Sequence, residues 1–382
     1  MVSEEVRNKV QWMLDPDITY LNHGSFGARP VSVFEAQIDL KRHFERSPIQ
    51  FLDREGKERV AEARATVAAF LGCSGEQLGF VENATTAIGC VLQSLDLPAR
   101  AEIVSTSHVY NGVRQLLRAF TKKNGSTYRE IDIQTPLHTS DEIVAKVIAG
   151  FSNHTKVLVL DHVASITSIV FPVKEIIAEC RKRNITILID GAHAPGMLEL
   201  DIDDLAPDWY VGNLHKWVCG PPGAGFLWVN RDYLKTTHPL TVSHFFEQGF
   251  TEEFDWQGTR DITSILGAAV AIEWGTTIGW DAIRKHNHAL AVCMQQRLID
   301  SWGVLPMSSL DGSLIGSMAT VPLPHGYPTD EEQLKNLRSK IYQEHKVEVP
   351  LLLWQGSPVV RVSAQLYTNV ECISTLISAL SG

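Results

Sequence analysis

Lys216 lies in the run Asn213-Leu214-His215-Lys216-Trp217, 26 residues after Asp190 in Ile187-Leu188-Ile189-Asp190-Gly191-Ala192-His193. A lysine at the mouth of an α/β sheet, with an acid at the end of a preceding strand, is what a protein needs to hold pyridoxal phosphate as a Schiff base and keep its ring nitrogen protonated. Taken alone, a lysine is a solvated surface charge, so Lys216 draws its meaning from its neighbours. It sits between apolar or aromatic residues and ahead of Cys219-Gly220-Pro221-Pro222-Gly223-Ala224-Gly225, a turn-rich loop that cannot be the interior of a helix or strand. Burial at such a place lowers the pKa of an amine and makes it a better nucleophile.

Other polar clusters have a related character. Glu82-Asn83-Ala84-Thr85-Thr86-Ala87 opens with small and hydroxyl residues and runs into an apolar helical pattern, Ile88 to Leu95. Exposed N–H groups and threonine hydroxyls at such a helix start bind phosphate; an ordinary N-cap is the alternative. Asp190 ends an apolar strand, where an unpaired carboxylate is costly unless it meets a cation or donors. A protonated pyridine nitrogen is one such partner, and a plain strand-end acid is the alternative. His193 either donates to a ring oxygen or packs as a surface histidine, and its sequence context does not decide between them.

The elements that must position these residues alternate regularly. Glu55 to Leu71 has apolar residues at helical spacing, and Val173 to Arg183 reads as a second helix. Continuous apolar runs at Ile103-Val104-Ser105, Val157 to Leu160, Ile185 to Ile189 and Gly225 to Val229 predict strands of a mainly parallel sheet covered on both faces. From about Ile283 a long helix follows, then strand-like runs at Ser317 to Val321 and Val359 to Val362 and helices at Glu331 to Glu344 and Val370 to Leu380. The organisation expected is an N-terminal segment (1–23) packing with the small domain, a large α/β domain (24–282) and a smaller α+β domain (283–382).

Composition narrows the partners. The net charge of -10 comes without basic runs, which argues against nucleic acid and anionic membrane and for a small-molecule substrate. Met1 to Asp17 is charged and lacks an apolar leader-like region, and no segment reaches the length of a membrane span, so a soluble, cytoplasmic protein is expected. The six cysteines lack C-x-x-C spacing, which points to neither a disulfide framework nor a zinc site, and no metal is expected.

The run from Asp190 through His193 to His215-Lys216, with the preceding Ala84-Thr85-Thr86 loop, resembles the class V aminotransferase group of fold-type I pyridoxal-phosphate enzymes. Tyr20-Leu21-Asn22-His23-Gly24-Ser25-Phe26-Gly27, Phe254 to Asp261 and Arg361 to Tyr367 are similar to the isopenicillin N epimerase-like and cysteine desulfhydrase-like branch. The resemblance covers nearly the whole chain and implies a large domain with a seven-stranded-type, mainly parallel sheet between helices. It also implies Lys216 as cofactor anchor and acid/base, Asp190 as partner of the ring nitrogen, and His193 at the ring hydroxyl. Ala84, Thr85 and His215 fall at phosphate positions, and Tyr110 matches the residue that stacks on the ring. By the same resemblance Thr259 supplies a phosphate contact to a second subunit, implying a homodimer with sites at the interface. Arg361 is the implied substrate-carboxylate clamp, a role suited to a permanently charged planar fork. Asn22 and His23 border the substrate, and Ser165 stands where related desulfurases often carry asparagine, its role open.

Related desulfurases carry a mobile cysteine before the clamp arginine, whereas Glu348-Val349-Pro350-Leu351-Leu352-Leu353-Trp354-Gln355-Gly356 holds no thiol. The Leu351 to Trp354 stretch reads as a buried strand. Persulfide transfer is therefore not expected. The leading expectation is a C–S lyase that removes a β-substituent from cysteine or an S-substituted cysteine, as in cysteine desulfhydrases and hercynylcysteine sulfoxide lyases. The alternative is an amino-acid or peptide epimerase, with Tyr110 or His108 as the second acid. An aminotransferase ranks third, and a catalytically inactive binding protein on the same fold is the reading of a different class.

Overall fold

The computed structural model describes residues 2–98 and 100–381. Seven strands form the large sheet: β1 (Leu78–Val81), β2 (Glu102–Thr106), β3 (Thr127–Ile131), β4 (Thr155–Asp161), β5 (Thr186–Gly191), β6 (Trp209–Asn213) and β7 (Gly225–Val229). Their spatial order is β1-β7-β6-β5-β4-β2-β3, and β7 alone runs against the other six. This mixed but mainly parallel sheet is the α/β architecture that the apolar runs predict. β5, β6 and β7 are buried almost end to end, as strands covered on both faces must be.

Helices supply both covers. On one face lie α1 (Val31–Arg46), α2 (Gly56–Leu71), α6 (Val173–Lys182) and α7 (Thr263–Ile278), whose Val33, Val60, Ile176 and Ile265 join one buried cluster. On the other lie α3 (Ala84–Ser94) and α4 (Asn111–Asn124), whose Ile88, Val91, Val113 and Leu117 pack on Val157, Leu188 and Val211 of the sheet. A further helix, α5 (Ser140–Ala149), begins at a Thr139 cap whose hydroxyl accepts from the Glu142 N–H.

The C-terminal part holds α8 (Trp280–Trp302), β8 (Met318–Pro322), α9 (Glu331–His345), β9 (Leu351–Trp354), β10 (Ser357–Ser363) and α10 (Glu371–Ser381). Its strands make an antiparallel sheet in the order β9-β10-β8. Met294, Leu298, Ile341, Val360 and Leu376 form a separate core there, and Leu21 is part of it. Thr19 and Tyr20 pair in parallel with Val347 and Glu348, which ties the N-terminal segment to this region. α8 is continuous: Trp280 and Ile283 pack into the large core, while Ala291 and Met294 belong to the small one. Position 282/283 therefore falls in the first turn of a helix shared by both cores, because the apolar pattern changes partner there without a break in the chain.

Candidate active site

The carboxyl ends of β1, β2, β4, β5 and β6 converge on a cavity of about 660 Å³, closed on the far side by Ser25, Phe26 and Arg361. In an open α/β sheet this is the edge where ligands bind. Lys216 follows β6, and its Nζ lies 3.0 Å from His193 Nε2. Burial, then the Arg361 guanidinium, push the Lys216 amine from 10.5 down to about 7, against the opposing pull of Asp190 and Asp161. Burial and the Lys216 charge likewise hold His193 neutral, well below the usual imidazole range.

Asp190 Oδ1 accepts the Ala192 N–H at 3.0 Å, and burial raises its carboxyl. Asp161 is its register partner on β4, and burial together with the Asp190 charge drives Asp161 well above the carboxylate range. Both adjacent carboxyls are thus raised by burial, Asp161 further through the Asp190 charge and Asp190 held back by its Ala192 N–H and the Lys216 charge. Asp161 was not singled out in the sequence, although it ends the Val157 to Leu160 apolar run just as Asp190 ends its own strand.

The start of α3 differs in one respect from expectation. Asn83 caps the helix, accepting the Thr86 N–H at 2.9 Å, and the Ala84 N–H donates to Asn213 Oδ1 at 2.9 Å. The Ala84 amide is thus already used, because Asn213 at the end of β6 reaches across to it. Thr85, exposed to the cavity, retains the hydroxyl and second-position N–H that a helix N-terminus offers an anion. His215 Nδ1 is buried without a partner, and burial lowers the ring to about 4.

Arg361 on β10 is 3% exposed, and burial lowers it only to about 10, so it is a cation at neutral pH. Its Nη1 donates to the Ser165 carbonyl at 2.6 Å and to Ser165 Oγ at 3.3 Å, and Nη2 donates to Ser25 Oγ at 2.6 Å. Tyr110 precedes α4, is 48% exposed and lines the same cavity.

Asn22 and His23, expected beside the substrate, do not line the cavity. Asn22 Nδ2 donates to Glu348 Oε1 at 3.0 Å, and His23 is fully buried with Nε2 3.1 Å from the Lys216 carbonyl and Nδ1 2.9 Å from the Tyr367 hydroxyl. The turn closed by the Ser25 N–H on the Asn22 carbonyl sends residues 21–23 into the core and brings Ser25 and Phe26 to the rim. Gly27 then packs on the lysine loop, where a Cβ would lie 2.4 Å from the His215 and Lys216 carbonyl oxygens. Thr259 is exposed and also lies outside its own chain's cavity; next to it Arg260 Nη2 donates to the Phe254 carbonyl at 2.7 Å. His108 is equally absent from the cavity wall: its ring nitrogens lie 2.7 Å from Thr167 Oγ1 and 3.0 Å from the Ile133 carbonyl.

These groups fit pyridoxal 5'-phosphate. Lys216 offers an amine, Asp190 a carboxylate, and His193 Nδ1 and His215 Nδ1 are buried ring atoms without partners. Thr85, at a helix N-terminus on the cavity wall, is of the kind that suits a phosphate.

The class-V aminotransferase model matches residues 30–376. The chain belongs to the class-V aminotransferase family, and pyridoxal 5'-phosphate is its cofactor. It is 31% identical to isopenicillin N epimerase from Streptomyces clavuligerus, over 99% of this chain and 97% of the relative. It is 29% identical to a probable chloroplastic L-cysteine desulfhydrase from Arabidopsis thaliana, over 96% of this chain and 83% of the relative. Among solved structures, the apo cysteine desulfurase from Thermococcus onnurineus NA1 superposes with a TM-score of 0.82 at 18% identity, covering 100% of this chain and 97% of that one. The class-V family and the fold thus agree with the resemblance read from the motifs.

Proposed function

We propose that this chain is a pyridoxal-phosphate-dependent C–S lyase that eliminates the β-substituent of cysteine or an S-substituted cysteine. Bound cofactor supplies the electron sink for the pair left when the α-proton is removed. The observation that carries the reading is the base inventory of the cavity. It holds a single amine, Lys216 at about 7, beside a neutral His193, and no cysteine lines it among the described residues. Elimination needs one base and a leaving group; Lys216 is free enough of its proton at neutral pH to take the α-proton and hand it on.

Epimerisation needs a second proton donor on the opposite face. His108 is spent in the core, which leaves Tyr110 as the candidate and epimerase as the second reading. Persulfide transfer lacks its thiol: Cys219 is buried, raised by burial, and sits 3.8 Å from His23 Nε2 beneath the lysine loop. Transamination ranks third, and a non-catalytic binding role is opposed by the intact Lys216 and Asp190. Within this proposal the large cofactor domain is residues 24–282, the small domain is 283–382, and residues 1–23 pack with the latter.

We read Lys216 as catalytic base, and Thr85, Tyr110, Asp190, His193 and His215 as cofactor contacts. The homodimer belongs to the same proposal: Thr259 is exposed beside a second cavity of about 530 Å³ lined by Trp256 and Arg260, where a second copy would meet it. No helix among the described residues is long and apolar enough to cross a membrane, and the six free cysteines suit a reducing compartment such as the cytoplasm.

Incubation with L-cysteine, cysteine S-conjugates and their sulfoxides is expected to release pyruvate with sulfide or the matching sulfur product. Exchange of α-deuterium with inversion and no pyruvate would transfer the assignment to the epimerase. If Arg361 grips the substrate carboxylate, Arg361→Ala should raise KM by roughly 10- to 100-fold, the worth of hydrogen bonds to a charged group, with a smaller change in kcat. An unchanged KM for every active substrate removes Arg361 from that role.

A further inference from the structure

A guanidinium has five N–H donors in a fixed plane. In Arg361 the Nη1 edge is turned to Ser165, whose carbonyl and hydroxyl lie 2.6 and 3.3 Å away. Nη2 donates one proton to Ser25 Oγ at 2.6 Å, and Nε is buried with no partner. The donors left for a ligand are therefore Nε–H and the second Nη2–H. A buried, unpartnered N–H of a cation is costly unless a ligand meets it. The Nη1 edge is closed by Ser165.

Ser25 is the second element of this arrangement. Its hydroxyl oxygen accepts from Arg361, which leaves the hydroxyl proton free to donate, and Ser25 lines the cavity together with Arg361. The segment that carries it is held at both ends: the Gly24 N–H donates to Ser363 Oγ at 3.0 Å, and the Tyr20 hydroxyl donates to the Phe26 carbonyl at 2.7 Å. Gly24 is thereby fixed to Ser363, two residues along β10 from Arg361, and Ser25 follows it directly.

We propose that Ser25 completes the carboxylate subsite, holding Arg361 so that Nε–H and Nη2–H face the ligand and donating its own hydroxyl proton to one carboxylate oxygen, while Ser165 only orients the fork. The proposal rests on the amino-acid reading of the site but not on which reaction follows. It makes the N-terminal segment part of the specificity machinery through Ser25 rather than through Asn22 and His23. Ser165 becomes a positioning residue whose main contact is a backbone carbonyl, so its side chain contributes less than that of Ser25.

The test uses the holoenzyme and a ligand with no leaving group, L-alanine, against L-alaninamide, which keeps the amine and lacks the carboxylate. Calorimetry on wild type, Ser25→Ala, Ser25→Thr and Ser165→Ala reads the affinities. In Ser25→Ala the affinity for L-alanine should fall roughly 10- to 100-fold, as expected for a lost hydrogen bond to a charged group, with L-alaninamide unchanged. Ser25→Thr, which keeps the hydroxyl, should recover most of the preference, and Ser165→Ala should lose less of it than Ser25→Ala. If Ser25→Ala weakens both ligands alike, the role is only structural and the proposal falls; it falls equally if the acid-over-amide preference survives. Pyruvate release by the wild-type protein is scored separately. Its absence counts against the lyase reading and leaves the acid-over-amide comparison intact.

Discussion

Lys216→Ala protein is expected to lose turnover by roughly 10³-fold or more, since a positioned acid/base is worth about 10²–10⁴ and this residue also anchors the cofactor. Wild-type protein should carry a near-visible band that borohydride bleaches, fixing the cofactor on Lys216; the variant should bind the cofactor without that covalent link. The pH dependence follows from the lowered amine. Burial and the Arg361 charge bring Lys216 to about 7, so the nucleophilic free base forms as pH rises through neutrality rather than above 10. Cofactor loading onto apoprotein should accelerate between about pH 6 and 8 and then level off. In Arg361→Ala the second-largest depressing influence is gone, so the midpoint should move upward. A loading rate that is flat from pH 6 to 9, or a borohydride-stable link that persists in Lys216→Ala, would refute the anchor.

The cofactor side of the site was legible in the sequence because it sits on strand ends. The apolar run that stops at Asp190 announces where a buried strand meets a loop, and a polar residue there has to find a partner. The substrate side was less legible. Ser25 and Arg361 are separated by more than three hundred residues and meet because Thr19–Tyr20 pairs with Val347–Glu348 and the Gly24 N–H is held by Ser363 of β10. No local period encodes that pairing. The motif pointed to a segment that reaches the cavity rim, but which of its residues line the cavity depends on a turn between Asn22 and Ser25.

The strands that carried no sequence signal have a packing explanation. Gly79 in β1 and Gly212 in β6 break the apolar runs, yet a Cβ at either would come within 2.7 Å of the Phe254 ring or 2.5 Å of the Phe226 ring. Glycine there is required by neighbours that sequence spacing does not disclose, and it lowers the local strand preference. β3 fails to read as a strand for a different reason: Arg129 and Glu130 interrupt its pattern and are held by Glu102 at 2.9 Å and by Arg114 at 2.7 Å. Edge strands can carry such charges because one side has no strand to pair with.

Asp190→Asn is expected to be the most informative single change at the ring end of the cavity. An amide has nearly the shape of the carboxyl and can keep the Ala192 N–H, now 3.0 Å from Oδ1, but it has no charge with which to hold the ring nitrogen protonated. Breaking a buried charge pair costs about 3–5 kcal/mol. At about 1.4 kcal/mol per decade this predicts a loss in kcat/KM on the order of 10²–10⁴-fold, with weaker cofactor binding. The apoprotein should behave in the opposite way. Asp190 is raised by burial above its unfolded value, so its contribution to stability is present at low pH and is lost as pH rises through the raised value. Above the unfolded value the acid therefore opposes the fold, and the amide removes that opposition. It also removes the Asp190 charge, which adds to burial in raising Asp161, so Asp161 ionises more readily beside an amide. D190N apoprotein should consequently melt no lower than wild type at pH 7 even as activity collapses. A variant that melts well below wild type would make Asp190 a structural acid, and one that retains full kcat/KM would remove it from the chemistry altogether.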